Sequence, residues 1–132
     1  MIVEVCNRQR AHRVNIVRLQ KLAGAVDSKL TALSIVLVSD RQMAELNLRY
    51  HHTPGPTDIL TFDYGGGTGE LIISVDHAVS QARRYRTTPA RELALYVVHG
   101  ILHLAGYDDG TPAQRRRMRT AERRWLSRAQ KT

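Results

Sequence analysis

The chain of 132 residues has one cysteine, Cys6, which excludes an intramolecular disulfide and a thiolate-rich zinc site and points to a reducing compartment. No run of eighteen apolar residues offers a membrane-crossing helix, and the first residues lack the basic-then-apolar pattern of a secretory leader. A cytoplasmic protein with no membrane partner is the expectation. Four prolines and nine glycines are too few for a low-complexity or collagenous chain, and 42% hydrophobic with 24% charged residues is the ordinary composition of a folded domain. A second core would leave each half too small to close, so residues 1–132 are expected to form one domain. The glycine-rich stretch from Tyr64 to Gly69 is no phosphate loop, because no Lys-Ser/Thr pair and no helix directly follow it. A helix-turn-helix pattern is also missing.

Acidic residues are scarce at one end. Residues 1–110 hold 12 basic and 11 acidic side chains, whereas residues 111–132 hold 8 basic and 1 acidic, so the tail carries +7 of the net +8. A field concentrated in this way attracts polyanions, RNA among them. An arginine-rich solvated helix face has the same composition, so charge alone does not choose a partner.

Hydrophobic patterning supplies the elements. Val3 and Val5 alternate around Glu4 as in a first strand, and His12 to Ala23 has helical spacing that Gly24 is expected to end. Thr31 to Val38 is a β-branched run suited to a buried strand. Ser39 and Gln42 form a capping-box pattern ahead of a helix with Met43, Leu46 and Tyr50 on one side. Residues 51–58 read as an irregular connection, Asp58 to Asp63 and Glu70 to Ser74 as strands, and Asp76 to Arg86 as a weak helix. Thr88 and Pro89 start a helix that is apolar on most sides and that Gly106 is placed to end. Thr111, Pro112 and Gln114 begin a last helix with Met118, Ala121, Trp125 and Ala129 as its apolar seam. The whole predicts an α+β fold, a small mixed four-stranded sheet packed with about five helices, the central helix carrying the His-Gly-x-Leu-His stretch.

That central helix carries most of the chemistry. His99 and His103 stand one turn apart on one face, so their imidazoles can converge on one ion. Asp108 and Asp109 follow the Gly106 stop, where the turning chain can return a carboxylate toward them. Two nitrogens and one oxygen would hold zinc and leave a position for water, the open arrangement of hydrolytic sites. Hydrogen-bonded core histidines would give the same pair. Position 100 is glycine, so the glutamate of a zinc protease is missing.

The stretch HGILHLAGYDD, residues 99–109, resembles the signature of the YbeY family, single-domain metal-dependent endoribonucleases implicated in ribosomal RNA maturation. The resemblance extends to LNLRYHHTPGPTDILTF at 46–62, GELIIS at 69–74, and Met118 with Glu122, in colinear order over about residues 30–125. It implies one zinc per chain on His99, His103 and the position of Asp109, which is histidine in the family pattern. Aspartate is a competent zinc ligand, although its negative charge makes a bound water less acidic. A second departure is His51, where the family pattern has an arginine suited to gripping phosphate; imidazole lacks the permanent charge and the donor fork. His51 and Glu70 are the catalytic candidates implied, Glu70 in place of a family aspartate and able to orient water or a ligand. Asn47, Arg49, Thr57 and Asp58 are expected to border an RNA cleft, with Arg115, Arg116 and Arg119 holding the phosphate backbone. Thr57 and Asp58 can equally cap the strand they open.

The resemblance thus implies a single-strand-specific, zinc-dependent endoribonuclease acting in ribosomal RNA processing, with ribosomal RNA and the small subunit or its proteins as partners. The two substituted positions support an alternative, a ribosome- or RNA-associated maturation factor that keeps the fold and cleaves weakly or not at all.

Overall fold

Strand pairing sets the frame. A computed structural model describes residues 1–51 and 57–130, including all side chains among them except those of His51, Ala129 and Gln130. The strands are β1 (Ile2–Asn7), β2 (Ala32–Val38), β3 (Ile59–Gly65) and β4 (Thr68–Ser74), and the helices α1 (Ile16–Ala25), α2 (Asp40–His51), α3 (Val75–Tyr85), α4 (Pro89–Leu104) and α5 (Pro112–Gln130). They make one four-stranded sheet in the order β1-β2-β4-β3. β1 and β4 flank β2 in parallel, and β3 closes the edge antiparallel to β4. This is the expected mixed sheet with five helices.

Alternation along the strands sends side chains to two unequal apolar clusters. The larger joins Ile35, Leu37, Leu71 and Ile73 to α1, α3, α4 and α5 through Leu22, Ala78, Val97, Ile101 and Met118. The smaller joins Val36, Val38, Leu60 and Ile72 to Met43 of α2. β2 and β4 are thus buried on both faces, which is why both read as near-continuous aliphatic runs.

Most helix ends follow the sequence signals. Ser39 and Gln42 form a reciprocal capping box, with N–H to Oε1 at 2.9 Å and N–H to Oγ at 3.2 Å, and Thr111 with Gln114 repeats it at 3.0 and 3.1 Å. Thr88 caps α4 by accepting from the Arg91 N–H at 3.2 Å, with proline in the first turn. α1 departs at both ends: it starts at Ile16, capped by Asn15, and not at His12, and Gly24 does not stop it. Gly24 lies inside α1, whose end comes at Val26, because a glycine with nothing near its Cα hydrogens can be carried within a final turn whose Leu22 and Ala23 are anchored in the core. No helix among the described residues is long and apolar enough to cross a membrane.

Candidate functional site

Packing of α4 on the sheet positions the two histidines. A Cβ built on Gly100 would stand 2.6 Å from Leu71 Cδ2 and 2.8 Å from Ile59 Cδ1, so glycine lets the helix backbone rest on β3 and β4. His99 and His103 flank this contact with their rings nearly parallel, 10° between planes and 6.3 Å between centroids. Beyond them Gly106, at φ +106°, turns the chain as expected, while the N–H groups of Gly106 and Tyr107 return to the carbonyls of His103 and Leu102 at 3.1 and 3.0 Å.

Each ring is oriented through Nδ1. His103 Nδ1 lies 3.0 Å from the Tyr107 carbonyl, to which it donates, leaving Nε2 as the lone-pair nitrogen. His99 Nδ1 faces Glu122 Oε1 of α5 at 3.6 Å. The Glu122 carboxylate is the main cause that raises the His99 pKa; burial opposes it, and the Asp109 and Asp58 carboxylates add smaller raising contributions. An imidazole held at one nitrogen by a carboxylate or carbonyl is the arrangement seen in histidines that ligate metal through the other nitrogen.

The third expected ligand does not complete a metal site with them, although its carboxylate is near enough to raise the His99 pKa. Asp109 is exposed, and its main-chain carbonyl accepts from the Arg115 guanidinium at 3.2 Å. Among the described residues no group of three or more His, Cys, Asp or Glu side chains could hold a metal ion. In this arrangement the donor set therefore does not amount to a three-ligand zinc site, although two imidazoles are oriented as ligands would be. Beside the Gly106 turn, a shallow depression of about 310 Å³ runs between Ala105–Asp108 and Gln114 and Arg117 of α5.

The remaining expected residues separate into groups. Asp58 stands close enough to His99 to influence its charge, and its carboxylate accepts from the Ile59 N–H at 2.8 Å and from Thr57 Oγ1 at 3.3 Å, the local capping role open to both residues. Glu70 is on the other face of the sheet. It pairs with Phe62 across β3–β4, alternating with Gly69 and Leu71, which face α4. The structure thus does not bring Glu70 together with the histidines; it accepts from the Tyr64 hydroxyl at 2.6 Å instead. That bond is the main cause holding the Tyr64 phenol at a pKa of about 12. Asn47 is buried on α2, and Arg49 is exposed near its end. The side chain of His51 lies outside the described residues. Arg116 and Arg119 are exposed on α5, as expected, whereas Arg115 is engaged with the Asp109 loop.

Two residues at the site had no role assigned from sequence. Glu122 belongs to the inner face of α5, four residues after the buried Met118, and that spacing was the available signal. Only the docking of α5 beside the turn sets Arg117 apart from its arginine neighbours.

Comparison with known proteins adds an independent line. A family model described as Endoribonuclease YbeY matches residues 4–130. The Endoribonuclease YbeY of Thermodesulfovibrio yellowstonii is 37% identical over 151 aligned positions, covering 95% of each chain. That of Frankia alni is 35% identical over 139 positions, covering 89% of this chain and 77% of its own. A solution structure of a Thermotoga maritima protein shares the fold with a TM-score of 0.69 at 24% identity, over 97% of this chain and 89% of that one. With the glycine-seated histidine helix, its Gly106 turn and a match running nearly end to end, this chain belongs to the YbeY endoribonuclease family.

Proposed function

We propose that this chain serves ribosomal RNA maturation as an RNA-associated factor whose own phosphodiester cleavage is weak. The observation that carries this reading is that, among the described residues, His99, His103 and Asp109 do not make up a group able to hold a metal ion, Asp109 being at the position where the family pattern has a third histidine. Family membership supports the RNA-processing role, and the exposed Arg116 and Arg119 suit sequence-independent contacts to phosphates.

A second reading is favoured by the Nδ1 contacts of both histidines. In it the chain is a zinc-dependent, single-strand-specific endoribonuclease, with His99, His103 and Asp109 as ligands and zinc supplying Lewis acidity and an activated water. His51 then stands where a phosphate-gripping arginine would serve better.

Zinc content of purified protein, zinc titration, and cleavage of a defined single-stranded RNA with and without added zinc decide between them. Salt-sensitive RNA binding with cleavage that added zinc barely raises is the expected result. Stoichiometric zinc with rapid cleavage establishes the second reading, and absence of RNA binding removes both.

A further inference from the structure

A large concavity of the described surface lies away from the histidines. It is an open groove of about 1110 Å³ between the segment entering α1, α1 itself, α3 and the first turns of α4. Pro89, at its edge, begins the helix that carries His103 fourteen residues later, about 20 Å along the axis. The volume exceeds the roughly 300–1,000 Å³ of small-ligand pockets.

Its lining has one charge sign. Arg13, Arg18, Lys21, Arg83, Arg86 and Arg91 contribute six cations, and among the described residues no Asp or Glu lines it. All six are exposed, and among the described residues none of these side chains makes an ion pair. The nearby acids are committed elsewhere. Asp76 pairs with His12 at 3.0 Å and accepts from the Asp40 N–H at 2.8 Å, and buried Glu92 accepts from Thr87 Oγ1 at 2.7 Å. The N-terminus of α4 adds its positive dipole to the same side.

The floor is aliphatic. Val14, Val17, Val79, Ala94 and Leu126 line it beside core residues, and Val17 keeps 58% of its surface exposed. Among the described residues no Phe, Tyr or Trp lines the groove. Single-stranded nucleic acid is held in grooves by stacking bases on aromatic rings, and a duplex offers only its charged outside to an apolar floor. A helix with one apolar face and acidic flanks satisfies both features at once.

We propose that this groove docks an acidic amphipathic helix of a protein partner. The partner's apolar face lies on Val17, Val79 and Leu126, and its carboxylates meet the six rim cations. The surface is independent of chemistry at His99 and His103, so a chain that cleaves weakly can still be delivered to its RNA through it.

The test uses the full chain and a synthetic helix of about four turns with leucines on one face and glutamates elsewhere. Two control peptides keep the glutamates with serine for leucine, or the leucines with lysine for glutamate. NMR titration of the labelled protein should shift amides of α1, α3 and the start of α4 with the Leu/Glu peptide alone. Val17→Glu and the pair Arg83→Glu, Arg91→Glu, all at exposed positions, should each weaken binding about tenfold or more. The proposal is overturned if the Leu/Glu peptide does not bind, if it shifts the α5 arginines instead, or if the serine peptide binds equally. It is also overturned if oligouridylate displaces the peptide by shifting the same groove amides, which would make the groove a nucleic-acid site. Retained binding by well-folded variants would overturn it as well.

Discussion

The Arg115 guanidinium donates to the Asp109 carbonyl at 3.2 Å, tying the residue at the family's third ligand position to the first turns of α5 by its main chain. Its carboxylate is exposed and takes no part in that bond. Arg115→Ala should therefore speed hydrogen exchange of the amides at 107–110 and leave global stability within about 0.5 kcal/mol, as expected for one exposed contact. Unchanged exchange there would show that the Gly106 turn alone fixes the loop.

Replacing Asp109 tests why the three donors do not form a metal site. A histidine side chain reaches further than aspartate and restores the family pattern, so Asp109→His should tighten zinc binding by about tenfold or more, the scale of an added ligand or its support. His99→Ala should abolish what binding the wild type has. Calorimetric titration of the three proteins checks both; equal affinity in wild type and Asp109→His would mean that the loop, and not the side chain, keeps the third donor away.

Two glycines in helices give opposite expectations for alanine. At Gly100 the new methyl meets Leu71 Cδ2 at 2.6 Å and Ile59 Cδ1 at 2.8 Å, and because Leu71 is fully buried any shift of its side-chain end must be taken up by packed neighbours. Overpacking of about 1–3 kcal/mol outweighs a helix-propensity gain of about 1 kcal/mol, so Gly100→Ala should destabilise by roughly 1 kcal/mol. At Gly24 nothing lies within 4 Å, and only the propensity gain, about 0.5–1 kcal/mol, remains. Urea midpoints moving in opposite directions confirm the contrast; a stable Gly100→Ala protein would refute the close packing of α4.

The sequence announced the elements because caps and periodicity are local. Ser39–Gln42, Thr88–Pro89 and Thr111–Gln114 are self-contained signals, and each begins a helix where it stands. The facing of α4 and α5 was not local. That Glu122 rather than another residue meets His99 follows from how Met118 and Ala121 seat α5 in the core, a tertiary outcome. Glu70 illustrates the other difficulty. Motif matching alone groups it with the histidines, whereas period-two alternation puts it on the far side of β4 once Gly69 and Leu71 are seen to face α4. The groove of cations at α1, α3 and α4 was invisible in a charge count, since residues 1–110 are nearly neutral in sum.

The α5 arginines should supply salt-dependent affinity without sequence preference. Neutralising Arg115, Arg116 and Arg119 should weaken binding of unrelated single-stranded RNAs alike and lower the logarithmic salt slope by about 0.7 for each phosphate no longer neutralised. The helix should survive, because Met118 and Ala121 hold it in the core while Arg124 and Arg128 lie over the Trp125 ring at 5.6 and 4.8 Å. Titrations at several ionic strengths with an unchanged slope would leave these arginines as a solvated face alone.

Tyr64 and Glu70 provide a probe of the sheet face opposite the histidines. The phenol donates to the carboxylate at 2.6 Å, and ionising it would both break that bond and set two negative charges together, so its pKa rises to about 12 from the ordinary 10.0. The neutral phenol is the form the folded state favours. Its contribution to stability is therefore present in full below about pH 10 and is lost as the pH climbs through about 12. Ring resonances of the five tyrosines, with Tyr64→Phe for assignment, should show Tyr64 titrating late, with Tyr96 later still because burial raises its phenol further. Glu70→Ala should return the Tyr64 resonance to about 10 without disturbing His99, because the sheet lies between the two sites. A late Tyr64 titration that persists in Glu70→Ala would assign the shift to burial instead, and a simultaneous change at His99 would contradict the separation of the two faces.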